Sequence, residues 1–171
     1  FGGLHKLINI NPDMAIFGKA MGNGYAITAI LGKESVMDSA KRSFISSTFW
    51  TERIGPSAAL KTLEVMEREK SWERISYLGK KVISIWKKLS KKHKLPINIS
   101  GLPSLAKFSF KSKNSQAYKT YITQEMLKHN FLAATGVYLC ISHNEKILTK
   151  YLNHLDEIFY NISECEKGKT N

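Results

Sequence analysis

The chain has 171 residues, of which 43% are hydrophobic. This composition suits one or two small globular units and excludes a largely disordered chain. The net charge of +12 comes from 26 Lys and Arg against 14 Asp and Glu, and a balance this basic makes nucleic acid a partner to consider. No apolar run approaches the roughly 18 residues of a membrane span, and the N-terminus carries no cleavable signal pattern, so we expect no membrane partner.

The cysteines, Cys140 and Cys165, lack metal-ligand spacing, and Cys165 lies in a polar tail. We therefore expect no disulfide framework, no metal site and a reducing, cytoplasmic location. The chain opens with Phe1 rather than Met, so we also expect that its natural beginning is missing.

The first region, residues 1–70, alternates short apolar stretches with turn residues. Met14 to Phe17 is an apolar stretch that predicts a buried strand. Lys19 comes at its end, next to Gly18. The later elements predicted here are a glycine-rich turn over 22–24, a second buried strand over 26–31, a short helix over 34–40, an extended segment over 43–50 and a helix that opens at Gly55 and Pro56.

The second region, residues 71–171, predicts a small α+β domain. A long lysine-rich helix begins at about Ser71 and ends before Pro96, because the residue before a proline disfavours helical geometry. The elements predicted after it are strands over 97–99 and 105–110, a helix over 116–129, a strand over 137–141 and a helix over 145–162.

The lysines of this long helix can be interpreted in two ways. Apolar residues recur at helical spacing, at Ile75, Leu78, Val82, Ile85, Trp86 and Leu89. The lysines therefore fill the opposite, wet face of the helix; they are Lys80, Lys81, Lys87, Lys88, Lys91, Lys92 and Lys94. We favour this solvated face. The alternative is a non-catalytic basic module that binds nucleic acid or a partner protein.

Lys19 is the residue whose position most needs an explanation. Lysine is rarely buried without a partner, yet this one stands at the mouth of an apolar strand. The local pattern alone is compatible with a Lys19 side chain that simply extends into solvent. The other interpretation is covalent chemistry, because a desolvated amine has a lowered pKa and can form a Schiff base with a carbonyl.

Thr51 lies just before the helix predicted to open at Gly55. Exposed N–H groups at a helix start favour an anion, so a hydroxyl there suits a phosphate, although it also suits a simple cap or turn. An amine and a phosphate anchor together are what pyridoxal phosphate requires, since this cofactor carries an aldehyde and a phosphate.

Longer stretches around both residues resemble a known family. Residues 12–24 (PDMAIFGKAMGNG) resemble the cofactor-lysine signature of class III aminotransferases, most of all glutamate-1-semialdehyde aminomutase and its aminotransferase relatives. Residues 51–59 (TERIGPSAA) are similar to the family segment that leads through a proline into an alanine-rich helix, and the family's phosphate-binding threonine falls on Thr51 rather than on Thr48. Further collinear matches, over 101–110 and 124–143, extend the resemblance to nearly the whole chain.

The resemblance implies an α/β fold of the fold type I pyridoxal-phosphate-dependent transferases. Residues 1–70 would be the C-terminal part of the large cofactor-binding domain, and residues 71–171 the small C-terminal α+β domain. It also implies that Lys19 holds pyridoxal 5′-phosphate as an internal aldimine and that Thr51 binds the phosphate, across a homodimer interface. The implied reaction is that of an aminotransferase or aminomutase acting on a small-molecule amino donor and acceptor.

The chain departs from the family pattern in two places. Trp50 stands where a glycine usually precedes the phosphate threonine, and Asn23 replaces the middle glycine of the turn, a mild change because Asn tolerates left-handed geometry. Asp13 directly precedes the strand and is interpreted as a turn residue, and His143 as a residue that caps or orients the last helix.

Several parts of the family site have no counterpart in this chain. The resemblance places the aspartate that pairs with the pyridinium nitrogen, the ring-stacking aromatic and the glycine-rich phosphate loop upstream of residue 1. We therefore interpret the chain as the C-terminal half of such an enzyme. Because its strands would expose unpaired edges, we expect poor solubility or no turnover from residues 1–171 alone.

Overall fold

The computed structural model describes residues 1–168, which form two compact units, residues 1–70 and residues 71–168. Lys70 ends the last helix of the first unit in the left-handed backbone region, with φ 48°. A residue in this conformation cannot continue a helix, so the next helix starts afresh at Ser71.

The first unit contains a two-stranded antiparallel sheet and one long helix. Strand β1 (Met14–Phe17) pairs with β2 (Ala29–Gly32), with Met14 opposite Gly32 and Phe17 opposite Ala29. The helices are α1 (Glu34–Met37) and α2 (Ile54–Glu69), and the 3-10 turns are Leu4–Lys6, Lys19–Met21 and Asp38–Arg42. The prediction of β1 is confirmed, whereas β2 begins three residues later than predicted and α1 gives way to a 3-10 turn after Met37.

The prediction that these two strands are buried is wrong within this unit. The side chain of Ile16 is 70% exposed and that of Leu31 is 60% exposed. Among the described residues the sheet has two strands, and a lone hairpin has too little cover to bury its apolar faces.

The segment predicted to be extended, 43–50, forms no strand. Residues 44–47 are irregular and residues 48–51 form a turn. The Ser47 hydroxyl accepts the N–H of Phe49, and the Ser47 carbonyl accepts that of Trp50. These local hydrogen bonds compete with strand pairing, as serine side chains commonly do.

The second unit places three long helices and two strands in one body. The helices are α3 (Ser71–His93), α4 (Ser115–Lys128) and α5 (Glu145–Glu166), and the strands are β3 (Ile97–Ser100) and β4 (Lys107–Phe110). The 3-10 turn Pro103–Leu105 lies between the two antiparallel strands. The helix and strand predictions for 71–110 and for both later helices are confirmed to within a few residues at each end.

The directions of the three helices follow from the contacts between them. Lys81 pairs with Glu145 and Lys92 with Asp156, an equal separation in sequence, so α3 and α5 run parallel. In contrast, Tyr118 bonds to Glu166 and Tyr121 to Asn161, so α4 and α5 run antiparallel. Helix α5 therefore contacts both of the other helices.

Aromatic side chains fill the core of the second unit. Phe108 and Phe110 alternate with exposed residues along β4, so both point to the same face. The ring of Phe108 lies 4.8 Å from that of Trp86 on α3 and 5.7 Å from that of Phe159 on α5. These edge-on contacts join both helices to the sheet.

The prediction of a strand over 137–141 is wrong, although this segment does lie beside β4, where a strand could pair. The segment has no strand of its own, yet the N–H of Val137 bonds to the Ala106 carbonyl and that of Leu139 to the Ser104 carbonyl. Gly136 forms an isolated antiparallel bridge with Lys107. The segment thus lies beside β4, but pairs with it only partly, because the residues it bonds at 104–106 lie in and just after the 3-10 turn rather than in β4 itself.

Candidate active site

Lys19 lies in a strained turn directly after β1. Gly18 is extended, Lys19 has φ 49° in the left-handed region, and the 3-10 turn Lys19–Met21 starts there. The Lys19 carbonyl accepts the N–H groups of Gly22 and Asn23, at 3.1 and 3.0 Å, which closes the turn. A lysine costs more than a glycine in this conformation, and such strain is concentrated at functional sites.

The Lys19 side chain is exposed, so the desolvation expected around this amine does not occur within the unit. Lys19 therefore lies directly after a strand, as the sequence predicts, but its side chain is not buried.

Two glycines allow the lysine turn and the start of α2 to pack closely against the backbone of residues 25–26. A Cβ atom on Gly22 would lie 2.2 Å from the Tyr25 carbonyl oxygen, and one on Gly55 would lie 2.7 Å from that of Ala26. Both distances are too short for any side chain. Helix α2 also contacts the turn Lys19–Met21 itself. The sequence therefore uses glycine where close backbone approach places the turn beside the helix start.

Thr51 lies in the turn that precedes α2, and its side chain is exposed. This is the position predicted from the sequence. Helix α2 begins at Ile54, so the Thr51 hydroxyl stands one short turn before the first helical residue.

The N–H groups at the start of α2 are not available to an outside anion, which corrects the expectation for this helix. The Glu52 carboxylate accepts the N–H of Ile54 and, at 3.0 Å, that of Gly55. Pro56 has no N–H, and the N–H of Ser57 already bonds to the Arg53 carbonyl. Sequence reasoning missed this cap, although an acidic residue shortly before a helix start was a usable signal.

Asp13 and Lys33 form an ion pair at the edge of the hairpin. Their side chains meet at 2.7 Å, and both are more than half exposed. The hydrogen bond and the charge of Lys33 lower the pKa of the Asp13 carboxyl from its ordinary value. This agrees with the interpretation of Asp13 as a residue of the turn region.

The side chains of this unit fit part of a pyridoxal-phosphate site. The donor set contains one exposed primary amine, Lys19, and one exposed hydroxyl, Thr51, on elements held together by the Gly22 and Gly55 approaches. An amine suits an aldehyde and a hydroxyl suits a phosphate. The chemistry of Lys19 and Thr51 is therefore compatible with the aldehyde and the phosphate of the cofactor.

His143 orients the segment before α5. Its Nδ1 atom accepts the N–H of Cys140 at 3.1 Å. The N-cap of α5 is Asn144, whose side chain accepts the N–H of Ile147 at 2.9 Å. The prediction that His143 caps or orients the last helix is thus right for orientation and wrong for capping.

The lysines of α3 line its exposed face, as predicted. Leu78, Val82, Trp86 and Leu89 are buried on the other side of the helix. Lys81 and Lys92 pair with acidic residues of α5, at 2.6 and 2.5 Å. Part of the positive charge is therefore used to join two helices of the same unit.

The family model for class III aminotransferases matches residues 2–155 of the chain. The chain belongs to this family. The match spans most of the chain and includes the lysine turn, the start of α2 and most of the second unit. The resemblance carried by the lysine motif is therefore confirmed at the level of the family.

Two curated relatives illustrate the range of enzymes that the family contains. The chain is 35% identical to 3-aminobutyryl-CoA aminotransferase of Cloacimonas acidaminovorans, over 97% of this chain and 41% of the relative. It is 30% identical to glutamate-1-semialdehyde 2,1-aminomutase of Sulfolobus acidocaldarius, over 88% of this chain and 38% of the relative. The chain thus spans about two fifths of the length of these relatives.

Solved structures give the same result for the fold. The FumI protein of Sphingopyxis sp. MTA144, in its pyridoxal-phosphate internal aldimine form, matches with a TM-score of 0.82 at 23% identity, over 92% of this chain and 39% of that one. Acetylornithine aminotransferase of Elizabethkingia anophelis also matches at 0.82, with 22% identity, over 92% of this chain and 41% of that one. The chain therefore has the fold of part of a fold type I transferase.

A helix that spans a bilayer needs about 20 predominantly apolar residues, and residues 1–168 contain the helices α1 to α5. None of them combines the length and apolar character that a membrane span needs.

Proposed function

We propose that this chain is part of a pyridoxal-phosphate-dependent aminotransferase or aminomutase and that it supplies the cofactor lysine, Lys19. The observation that carries the proposal is the position of Lys19 in a strained turn after β1, within the stretch matched by the class III family. The same enzyme class appears in the names of the relatives, which include an aminotransferase and an aminomutase.

Each side chain has a stated task in this proposal. The Nζ atom of Lys19 attaches the cofactor aldehyde and, when released, carries a proton to or from the substrate carbon. The Oγ1 atom of Thr51 donates a hydrogen bond to the cofactor phosphate. When bound, pyridoxal phosphate acts as an electron sink that stabilises negative charge on the substrate carbon. The substrates are a small-molecule amino donor and an acceptor.

The proposal extends to the assembly and the location of the whole protein. We propose a homodimer in which Thr51 serves the site of the partner subunit, as the family resemblance implies. We also propose a cytoplasmic location, because the sequence has two cysteines without the spacing of a disulfide framework.

The proposal is tested by the absorbance of the full-length protein. We expect the purified wild-type protein to be yellow, and Lys19→Ala to lose the absorbance of the lysine-bound cofactor. Lys33→Ala is a matched control, since Lys33 lies in the same unit and pairs with Asp13. If Lys19→Ala kept the wild-type spectrum, Lys19 would not be the cofactor lysine.

A further inference from the structure

Two histidines and a glutamate meet on the surface of the second unit, away from the lysine turn in sequence. His129 is the C-cap residue of α4, and His154 and Glu157 lie on α5. One potential ligand atom from each of the three side chains lies within 4.8 Å of the other two. No metal site was expected from the cysteine spacing, which does not involve these three residues.

The positions of the three side chains follow from how the helices run. Because α4 and α5 are antiparallel, the end of α4 meets the middle of α5. His154 and Glu157 are three residues apart, so they lie on one face of α5. The rings of His129 and His154 are stacked, with centroids 3.7 Å apart and planes 11° apart. The site is therefore built from the end of α4 and the middle of α5, two helices of the same unit.

One ring nitrogen of His154 has no hydrogen-bond partner among the described residues. Its Nδ1 atom is buried and makes no hydrogen bond with any residue of the described chain. Buried polar atoms are nearly always satisfied, so an exception calls for an explanation. The ring of Phe131 lies 6.1 Å from that of His154, with the two planes tilted by 58°. This apolar contact offers the nitrogen no partner.

Two imidazoles and a carboxylate are a donor set for a borderline divalent metal ion. Zn²⁺ accepts histidine nitrogen and glutamate oxygen at about 2.0–2.2 Å, which places neighbouring ligand atoms roughly 3.3 Å apart in a tetrahedral site. His129 and Glu157 are exposed, so side-chain rotation supplies the remaining approach. Calcium and magnesium are excluded as the preferred ions, because they select all-oxygen sites.

We propose that His129, His154 and Glu157 form a binding site for a divalent transition-metal ion of the Zn²⁺ class, with water in the remaining position. The ion ties the end of α4 to the middle of α5. It thereby fixes the start of the segment that leads through Phe131 to the residues hydrogen-bonded beside β4. The site is separate in the chain from Lys19 and Thr51, so its occupancy is a question independent of the cofactor.

The test is equilibrium dialysis of the metal-stripped full-length protein against Zn²⁺ alone, near neutral pH. We expect His154→Asn to bind one equivalent of Zn²⁺ less than the wild type, or to bind it roughly 10-fold or more weakly. His143→Asn is the matched control, a histidine of the same unit outside the cluster, and it should bind as the wild type does. Zn²⁺ should also raise the melting temperature of the wild type more than that of His154→Asn, because a ligand that binds the folded state stabilises it.

A second variant guards against a folding defect in the first. Glu157→Gln changes an exposed side chain and removes one charged ligand, so it should weaken Zn²⁺ binding while leaving the metal-free melting temperature unchanged. Unaltered stoichiometry and affinity in both His154→Asn and Glu157→Gln would overturn the proposal and leave the stacked histidines as a packing contact only.

Discussion

At Lys19 the backbone adopts a left-handed conformation, with φ 49°, which costs a lysine roughly 1–2 kcal/mol relative to glycine. The residue before it is a glycine and the turn after it contains two more. A glycine at position 19 would fit the turn more easily, so the local structure alone does not explain a lysine there. The proposed attachment of the cofactor explains the lysine, because a carbonyl is attached through an amine.

At Thr51 the expected mode of phosphate binding differs from the sequence-based prediction, which relied on exposed N–H groups at the start of α2. The Glu52 carboxylate takes the N–H groups of Ile54 and Gly55, so the helix start provides no free donors for an anion. In the proposed site the contribution of this segment therefore comes from the Thr51 hydroxyl.

We expect Thr51→Ala to weaken retention of pyridoxal phosphate by the full-length protein. A hydrogen bond to a charged group contributes about 2 kcal/mol, which corresponds to a loss of about 30-fold in affinity. The affinity can be measured by titrating the apo-protein with the cofactor. Thr48→Ala changes a hydroxyl in the same turn and should bind as the wild type does; equal weakening in both variants would contradict the assignment to Thr51.

At the scale of elements, α3 and the turn Pro103–Leu105 of the second unit approach each other closely. A Cβ atom on Gly79 would lie 1.9 Å from the Pro103 carbonyl oxygen. Helix propensity alone favours alanine over glycine by about 1 kcal/mol. Overpacking against a backbone atom costs typically up to about 3 kcal/mol, so the steric term is the larger one.

We therefore expect Gly79→Ala to destabilise the second unit by about 2 kcal/mol net, measured by denaturant unfolding. Gly136→Ala is the control, because its Cβ would meet the nearest atoms at 3.6 and 3.7 Å, an ordinary contact. A Gly79→Ala protein as stable as the wild type would show that the helix does not approach the turn this closely.

Asp156 joins α5 to the end of α3. Its two carboxylate oxygens accept hydrogen bonds from Lys92 and His93, each at 2.5 Å. Burial by itself would raise the pKa of Asp156, but these hydrogen bonds and the nearby charges outweigh it and lower the pKa below its ordinary value. A lowered pKa in the folded state means that the carboxylate stabilises the fold above the ordinary pKa, and that this stabilisation is lost as the pH falls through the lowered one.

We expect Asp156→Asn to lower the stability by about 1 kcal/mol near neutral pH. The difference from the wild type should begin to shrink as the pH falls through the ordinary aspartate pKa of about 4, and it should vanish below the lowered pKa of the folded state, where the carboxylate is protonated. Melting temperatures measured over an acid series test this. Glu125→Gln breaks a pair with Lys128 inside one helix and should cost less; a difference for Asp156→Asn that grew toward acid pH would refute the assignment.

Some elements could be predicted from the sequence and others could not. Periodicity was enough for α3 and α5, because their apolar residues recur over many turns. It failed for 43–50 and 137–141, where serine hydrogen bonds and partial pairing beside β4 decide the backbone. The Glu52 cap and the His129–His154–Glu157 cluster escaped notice because the first depends on local geometry and the second joins residues far apart in sequence.

At the scale of the molecule, the two units differ in how well each buries its apolar residues. The cores of α3, α5 and β4 are closed around Trp86, Phe108 and Phe159. In residues 1–70 the side chains of Phe44 and Ile16 are 96% and 70% exposed. Large apolar side chains that a folded unit leaves exposed indicate an interface or an aggregation risk.

We therefore expect residues 1–171, expressed alone, to be poorly soluble or to show no turnover. The physical reason is the uncovered apolar surface of the β1–β2 hairpin, together with a site that offers one amine and one hydroxyl. Size-exclusion chromatography and an amino-transfer assay on the isolated chain measure both outcomes. A monomeric and active preparation would contradict this expectation.

The central claim is that Lys19 carries the cofactor in the whole protein. Its most direct test is reductive trapping with borohydride, which converts a lysine-bound cofactor into a stable secondary amine, followed by peptide mapping by mass spectrometry. We expect the pyridoxyl group on the peptide that contains Lys19 and on no other lysine of residues 1–171. A label on a different lysine, or a full-length protein that binds pyridoxal phosphate without labelling Lys19, would contradict the account.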